Sequence, residues 1–83
     1  MSVRKGRLTA AQIDREWPHQ VEIPVPPQGL GHRLNDLHSG AAELDPGYRA
    51  RSRTDGAEHF IRFCFKYSDA AVAFQERCGG GLV

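Results

Sequence analysis

Val21, Ile23 and Val25 alternate with Gln20, Glu22 and Pro24, a period of two that predicts a half-buried strand over residues 20–25. Pro24 has no N–H for a ladder, so this strand lies at an edge or ends there. The same period returns over residues 48–54 and 58–67, with Asp55-Gly56 between them, a dipeptide suited to a two-residue type I′ hairpin. Folding about it pairs Thr54 with Ala57, Arg53 with Glu58, Arg51 with Phe60, Arg49 with Arg62 and Tyr48 with Phe63, and directly opposed residues share a face. Tyr48, Ala50, Ile61, Phe63 and Phe65 then form an oily side. Arg49, Arg51, Arg53, Phe60 and Arg62 fall on the other, together with Glu58, Cys64 and Lys66.

Helical spacing governs the rest. Thr9 reads as an N-cap with Gln12 completing a capping box, and Ile13 and Trp17 share one face of a short helix over residues 10–17 that Pro18 stops. Leu30, Leu34 and Leu37 predict a second helix over residues 30–38, a stripe that Ala41 and Leu44 continue, with a looser second turn or a break at Ser39-Gly40 before Leu44. Asp45-Pro46-Gly47 is a turn. Ser68 reads as the N-cap of a third helix, with Tyr67 and Val72 as a hydrophobic staple, Ala71, Phe74 and Cys78 on the buried face, and Gly79 as the stop. Leu82 and Val83 fray or add a very short strand. The order is α-β-α-β-β-α, and an amphipathic sheet needs one cover, which predicts an α+β fold: a small three-stranded, largely antiparallel sheet with helices packed on one face. Residues 9–83 read as a single domain and residues 1–8 as a flexible basic tail.

Composition narrows the function classes. A chain of 83 residues has room for one core, and a net charge of +1 argues against coating nucleic acid or anionic lipid by bulk attraction. All basic residues except Lys5 and Lys66 are arginine, the cation suited to bidentate contacts and stacking, although high-GC coding also favours it. No apolar run approaches the roughly 20 residues of a membrane span, and no signal peptide is recognisable, so a cytoplasmic protein with no membrane contact is expected.

The chemistry-bearing residues do not form an active site. Cys64 and Cys78 are too few and too far apart for a disulfide framework or zinc cluster. Cys64 lies mid-strand and Cys78 at a helix C-terminus, neither of which favours a thiolate. His32 and His38 fall on different sides of a helix, and His19 and His59 add no ligand spacing. Gly79-Gly80-Gly81 follows a helix instead of opening one, so it makes no phosphate cradle. The expectation is no enzyme, no catalytic residue, no metal and no cofactor.

What remains is recognition. An arginine stripe around an aromatic suits an acidic protein partner or single-stranded nucleic acid, and the plainer reading is a solvated face that resists edge aggregation. Trp17 is a further anchor candidate, although a tryptophan before Pro18 is more often a core plug. The Pro24-Val25-Pro26-Pro27 segment is another contact candidate. A protein partner is the leading expectation, with nucleic acid as the alternative, and a homodimer through the sheet face or strand edge would also fit.

Phe60-Ile61-Arg62-Phe63-Cys64-Phe65 with the helix Asp69-Ala70-Ala71-Val72-Ala73-Phe74 resembles the third strand and following helix of the RNA-recognition motif. It covers the last third of the chain, and the first strand carries no stacking aromatic. Trp17-Pro18-His19-Gln20-Val21, with Phe63-Cys64-Phe65 and the alanine-rich helix, resembles small uncharacterised bacterial proteins over most of the chain, a likeness that implies no function. Short chains of this size also occur on phages and mobile elements, where small α/β proteins act as inhibitors of host complexes.

Overall fold

The computed structural model describes residues 9–83, so the basic tail expected over residues 1–8 lies outside the described residues. The elements are α1 (Ala10–Glu16), β1 (His19–Val25), α2 (His32–Leu44), β2 (Arg49–Asp55), β3 (Glu58–Phe65), α3 (Ser68–Cys78) and β4 (Gly81–Leu82). Their strands form one antiparallel sheet in the order β2-β3-β1-β4, giving an α+β fold with four strands where three were expected. The addition is the chain's own end. Gly79 and Gly80, at φ 88° and 92°, turn the backbone out of α3 and back onto β1, where Val21 pairs with Leu82 and Glu22 with Gly81. A Cβ on Gly80 would stand 2.8 Å from the Glu22 carbonyl oxygen, so this close approach needs glycine. β4 stops short of Pro24, and there β1 is an edge.

One face of the sheet carries the main core. Val21, Ile23, Phe63 and Phe65 meet Leu37 and Ala41 of α2 and Ala70, Ala71 and Phe74 of α3. The Phe74 ring centroid lies 5.0 Å from that of Phe63 and 5.4 Å from that of Phe65. Burying each such ring contributes roughly 1.5–3 kcal/mol, so this cluster dominates the fold. α2 runs unbroken through Ser39 and Gly40, contrary to the expected break. Gly40 is buried against α3, where an added Cβ would meet the Cys78 Sγ at 3.3 Å. The missing side chain therefore serves helix packing instead of ending the helix. At the same α3 residue the Arg33 guanidinium donates to the Cys78 carbonyl at 3.1 Å, joining the two helices again.

The helices do not all cover that face. α1 lies on the opposite one, where Ile13 and Trp17 enclose Cys64 in a separate small cluster. Its start follows the sequence: the Thr9 hydroxyl accepts from the Gln12 N–H at 3.1 Å and the Gln12 side chain accepts from the Thr9 N–H at 2.9 Å. Its end is fixed by Trp17, whose Nε1 donates to the Gly47 carbonyl at 2.8 Å. Residues that alternate out of the main core must go somewhere, and at this end of β3 Cys64 is apolar enough to need a second cover.

Two local expectations shift. The hairpin pairs Asp55 with Glu58, Arg53 with Phe60 and Arg51 with Arg62, a slip of two residues, and the loop is Gly56-Ala57. Gly56 alone has positive φ, at 63°, the arrangement with glycine first that a type II′ turn uses. Because the slip is even, every side chain keeps its face. Ser68 is already helical, Tyr67 holds the cap position without a capping side chain, and Tyr67 and Val72 stay exposed instead of forming a buried staple. Among the described residues no helix is long and apolar enough to cross a membrane.

Candidate functional site

The face under α1 collects every site residue named from the sequence. Gln20, Glu22 and Pro24 of β1 stand beside Cys64, Arg62 and Phe60 of β3, which stand beside Arg49, Arg51 and Arg53 of β2. From the α1 end to the hairpin, the face changes from apolar, through charged, to apolar again.

At the α1 end Trp17 is only 6% exposed, so it is an interior plug and not a surface anchor. Two cations close over it: the Arg49 guanidinium carbon lies 5.0 Å from the ring centroid and the Lys66 Nζ 4.8 Å. Cys64 beneath it is fully buried, and loss of water pushes its thiol up to about 11. A neutral thiol at ordinary pH is no nucleophile.

The middle is an ion network. Gln20 is buried yet satisfied, donating to Asp14 at 2.9 Å and to the Trp17 carbonyl at 3.1 Å while accepting from Arg62 at 3.3 Å. Arg51 donates to Asp14 at 3.0 Å. Arg53 and Arg62 converge on a single Glu22 oxygen at 2.9 and 3.0 Å. Hydrogen bonds from Arg53 and then Arg62 hold the Glu22 carboxyl below its ordinary pKa, and the Gln20 amide followed by Arg51 does the same for Asp14.

This network is redundant in one direction. Asp14 keeps Gln20 without Arg51, and Glu22 keeps Arg62 without Arg53. Arg49 has no acidic partner among the described residues. Asp14 and Glu22 therefore each keep a hydrogen-bond partner when Arg51 or Arg53 turns away, and Arg49 is free of any internal ion pair among the described residues. The Nε of Arg51 is buried with no acceptor among the described residues.

Toward the hairpin, Phe60 is half-buried and carries the Arg53 guanidinium over its ring at 5.1 Å. It also lines an open groove of about 630 Å³ formed by Pro24, Val25, Pro26 and Pro27 on one side and Ala57, Glu58 and His59 on the other. Prolines make that wall stiff, because their φ is fixed. Among the described residues, no group of three or more histidines, cysteines or carboxylates could hold a metal ion.

Sequence reasoning placed the arginines and Phe60 together but did not foresee the acids that answer them. Their signal was present: Gln20 and Glu22 alternate on the polar side of β1. Using it requires knowing that β1 lies next to β3, a tertiary fact. Compared with known proteins, the chain matches no family model, no curated sequence and no solved structure.

Proposed function

We propose that this chain is a non-enzymatic module that binds another protein through the β2 arginines, Phe60 and the proline-lined groove beside them. The observation that carries the reading is Arg53 over Phe60 at the rim of an apolar groove, with Arg51 and Arg49 continuing along β2 toward α1. Arg49, Arg51 and Arg53 can each turn to an outside acceptor without orphaning an internal acid. Arginine and aromatic residues dominate interface energetics, especially next to a concave apolar surface. A rigid wall adds to this, since binding then freezes little motion.

A single-stranded nucleic-acid platform is the alternative, because Phe60 lies among arginines. Three features favour protein over it. Arg53 already covers the Phe60 ring, Glu22 and Asp14 sit within the arginine cluster, and Asp55 pairs with Glu58 at the hairpin end. The face is thus of mixed sign, while a phosphate-tracking groove is of one sign.

Retention of partners from an extract of the cells of origin tests the reading, with the folded state of each variant checked by circular dichroism. Phe60→Ala and Arg53→Glu should each lose a protein that the parent chain and an exposed-pair variant, Glu43→Ala, both hold. Retention of every captured protein by both groove variants would remove the proposal. Capture of nucleic acid, released steeply by salt, would favour the alternative.

A further inference from the structure

The two edges of the sheet are finished differently. The outer edge of β1 receives the chain's own β4, and the Val83 N–H donates to the Gln20 carbonyl at 3.0 Å. The outer edge of β2 has no neighbouring strand among the described residues along its whole length, Arg49–Asp55. An edge strand presents every second N–H and C=O outward, and proteins blunt such edges with proline, bulges, shortness, covering elements or charge. β2 contains no proline, its register against β3 is continuous from Arg49 to Asp55, and no strand of the described residues pairs with it as β4 pairs with β1. Among the described residues, its protection is charge.

Charge is a selective barrier. A second copy pairing antiparallel about Ser52 would set Arg51 opposite the copy's Arg53, with Arg49 facing Asp55, and shifting the centre to Arg51 removes that acid and sets Arg51 against itself and Arg49 against Arg53. Like charges directly opposite destabilise a strand pair, so self-addition is disfavoured. An extended segment with acidic residues at alternate positions meets the reverse situation. Its acids would lie beside Arg49, Arg51 and Arg53, close enough for cross-strand ion pairs. On the other side of the ribbon β2 offers Ala50, packed against the main core, and the exposed Ser52 and Thr54, small residues that leave room for β-branched apolar side chains at the guest's intervening positions.

We infer that the β2 edge is a strand-addition site for an extended segment of a partner protein that alternates acidic and β-branched apolar residues. Main-chain hydrogen bonds supply the attachment and the arginine row the selection. The inference rests on the protein-binding reading above and specifies its chemistry.

Fluorescence anisotropy with the full chain and a labelled heptapeptide of alternating Glu and Val tests it. Two further peptides carry backbone N-methyl groups, one on every Glu and the other on every Val. A strand added to one edge uses only one of these sets for pairing. The parent peptide should bind, one methylated peptide should bind comparably, and the other should be weaker by about tenfold or more. Replacing Glu by Lys should abolish binding to the parent chain and restore it to an Arg51→Glu/Arg53→Glu chain. Equal affinity of the two methylated peptides, no binding by the parent peptide, or displacement of it by a short oligothymidylate at low concentration would overturn the inference. A chain that refuses the peptide yet loses captured partners through Phe60→Ala would retain the protein-binding reading and lose only the edge.

Discussion

Under α2 and α3, the sheet offers Val21, Ile23, Phe63 and Phe65, all fully buried, to an apolar cluster that includes Phe74. Under α1, the alternate residues of the same strands are Gln20, Glu22, Arg62, Arg51 and Arg53, tied together by ion pairs and partly open to water. The first face buries area and is held by non-directional burial; the second is held by directional contacts that water and salt weaken. Deletions on the first face should therefore cost the fold far more than edits to the second. The recognition proposed above uses this second, more editable face.

The largest expected effect is on the oily face. Phe74→Ala should lose about 3–5 kcal/mol by chemical denaturation, which is much of the stability of a domain this small. Trp17→Phe should do less, about 1–3 kcal/mol, because the ring stays apolar while the Gly47 carbonyl loses its Nε1–H donor. Amide exchange should locate that second loss in α1 and around Gly47, with α2 and α3 unaffected; equal loosening of α3 would make the two clusters one.

The ion network should show itself through pH. Arg53 and Arg62 depress the Glu22 pKa, so the stabilisation is present above the ordinary carboxylate range and is lost as pH falls through that range toward the folded-state value. Denaturation midpoints followed from pH 7 downward should fall less steeply for Glu22→Gln than for the parent chain. At neutral pH the two should differ only modestly, since Glu22 is still partly hydrated. Parallel acid limbs would mean that Glu22 contributes nothing through its charge.

The same contrast explains what could be read from the chain beforehand. Alternation is a local property, so residues 49–54 and 58–65 revealed their two faces, and an even register slip left that assignment intact. The capping box at Thr9 and Gln12 is equally local. What escaped depends on distant residues. Gly40 looks like a helix break until α3 is placed against it, and Gly80 looks like a loose end until β1 comes so near that a Cβ there would stand 2.8 Å from the Glu22 carbonyl oxygen. The side taken by α1 depends on Cys64, an apolar residue at the end of the β3 row that also carries Glu58, Phe60 and Arg62. Trp17 was read both as anchor and as plug, and only the Gly47 carbonyl and the two cations over its ring distinguish these.

Replacing all three β2 arginines at once, Arg49→Gln, Arg51→Gln and Arg53→Gln, measures the division of labour most directly. Asp14 retains Gln20 and Glu22 retains Arg62 in such a chain. Retention of captured protein by the folded triple variant is the decisive reading: the account predicts a denaturation midpoint near the parent's together with loss of the partner. A triple variant that unfolds, or one that folds and still holds everything the parent holds, would contradict it.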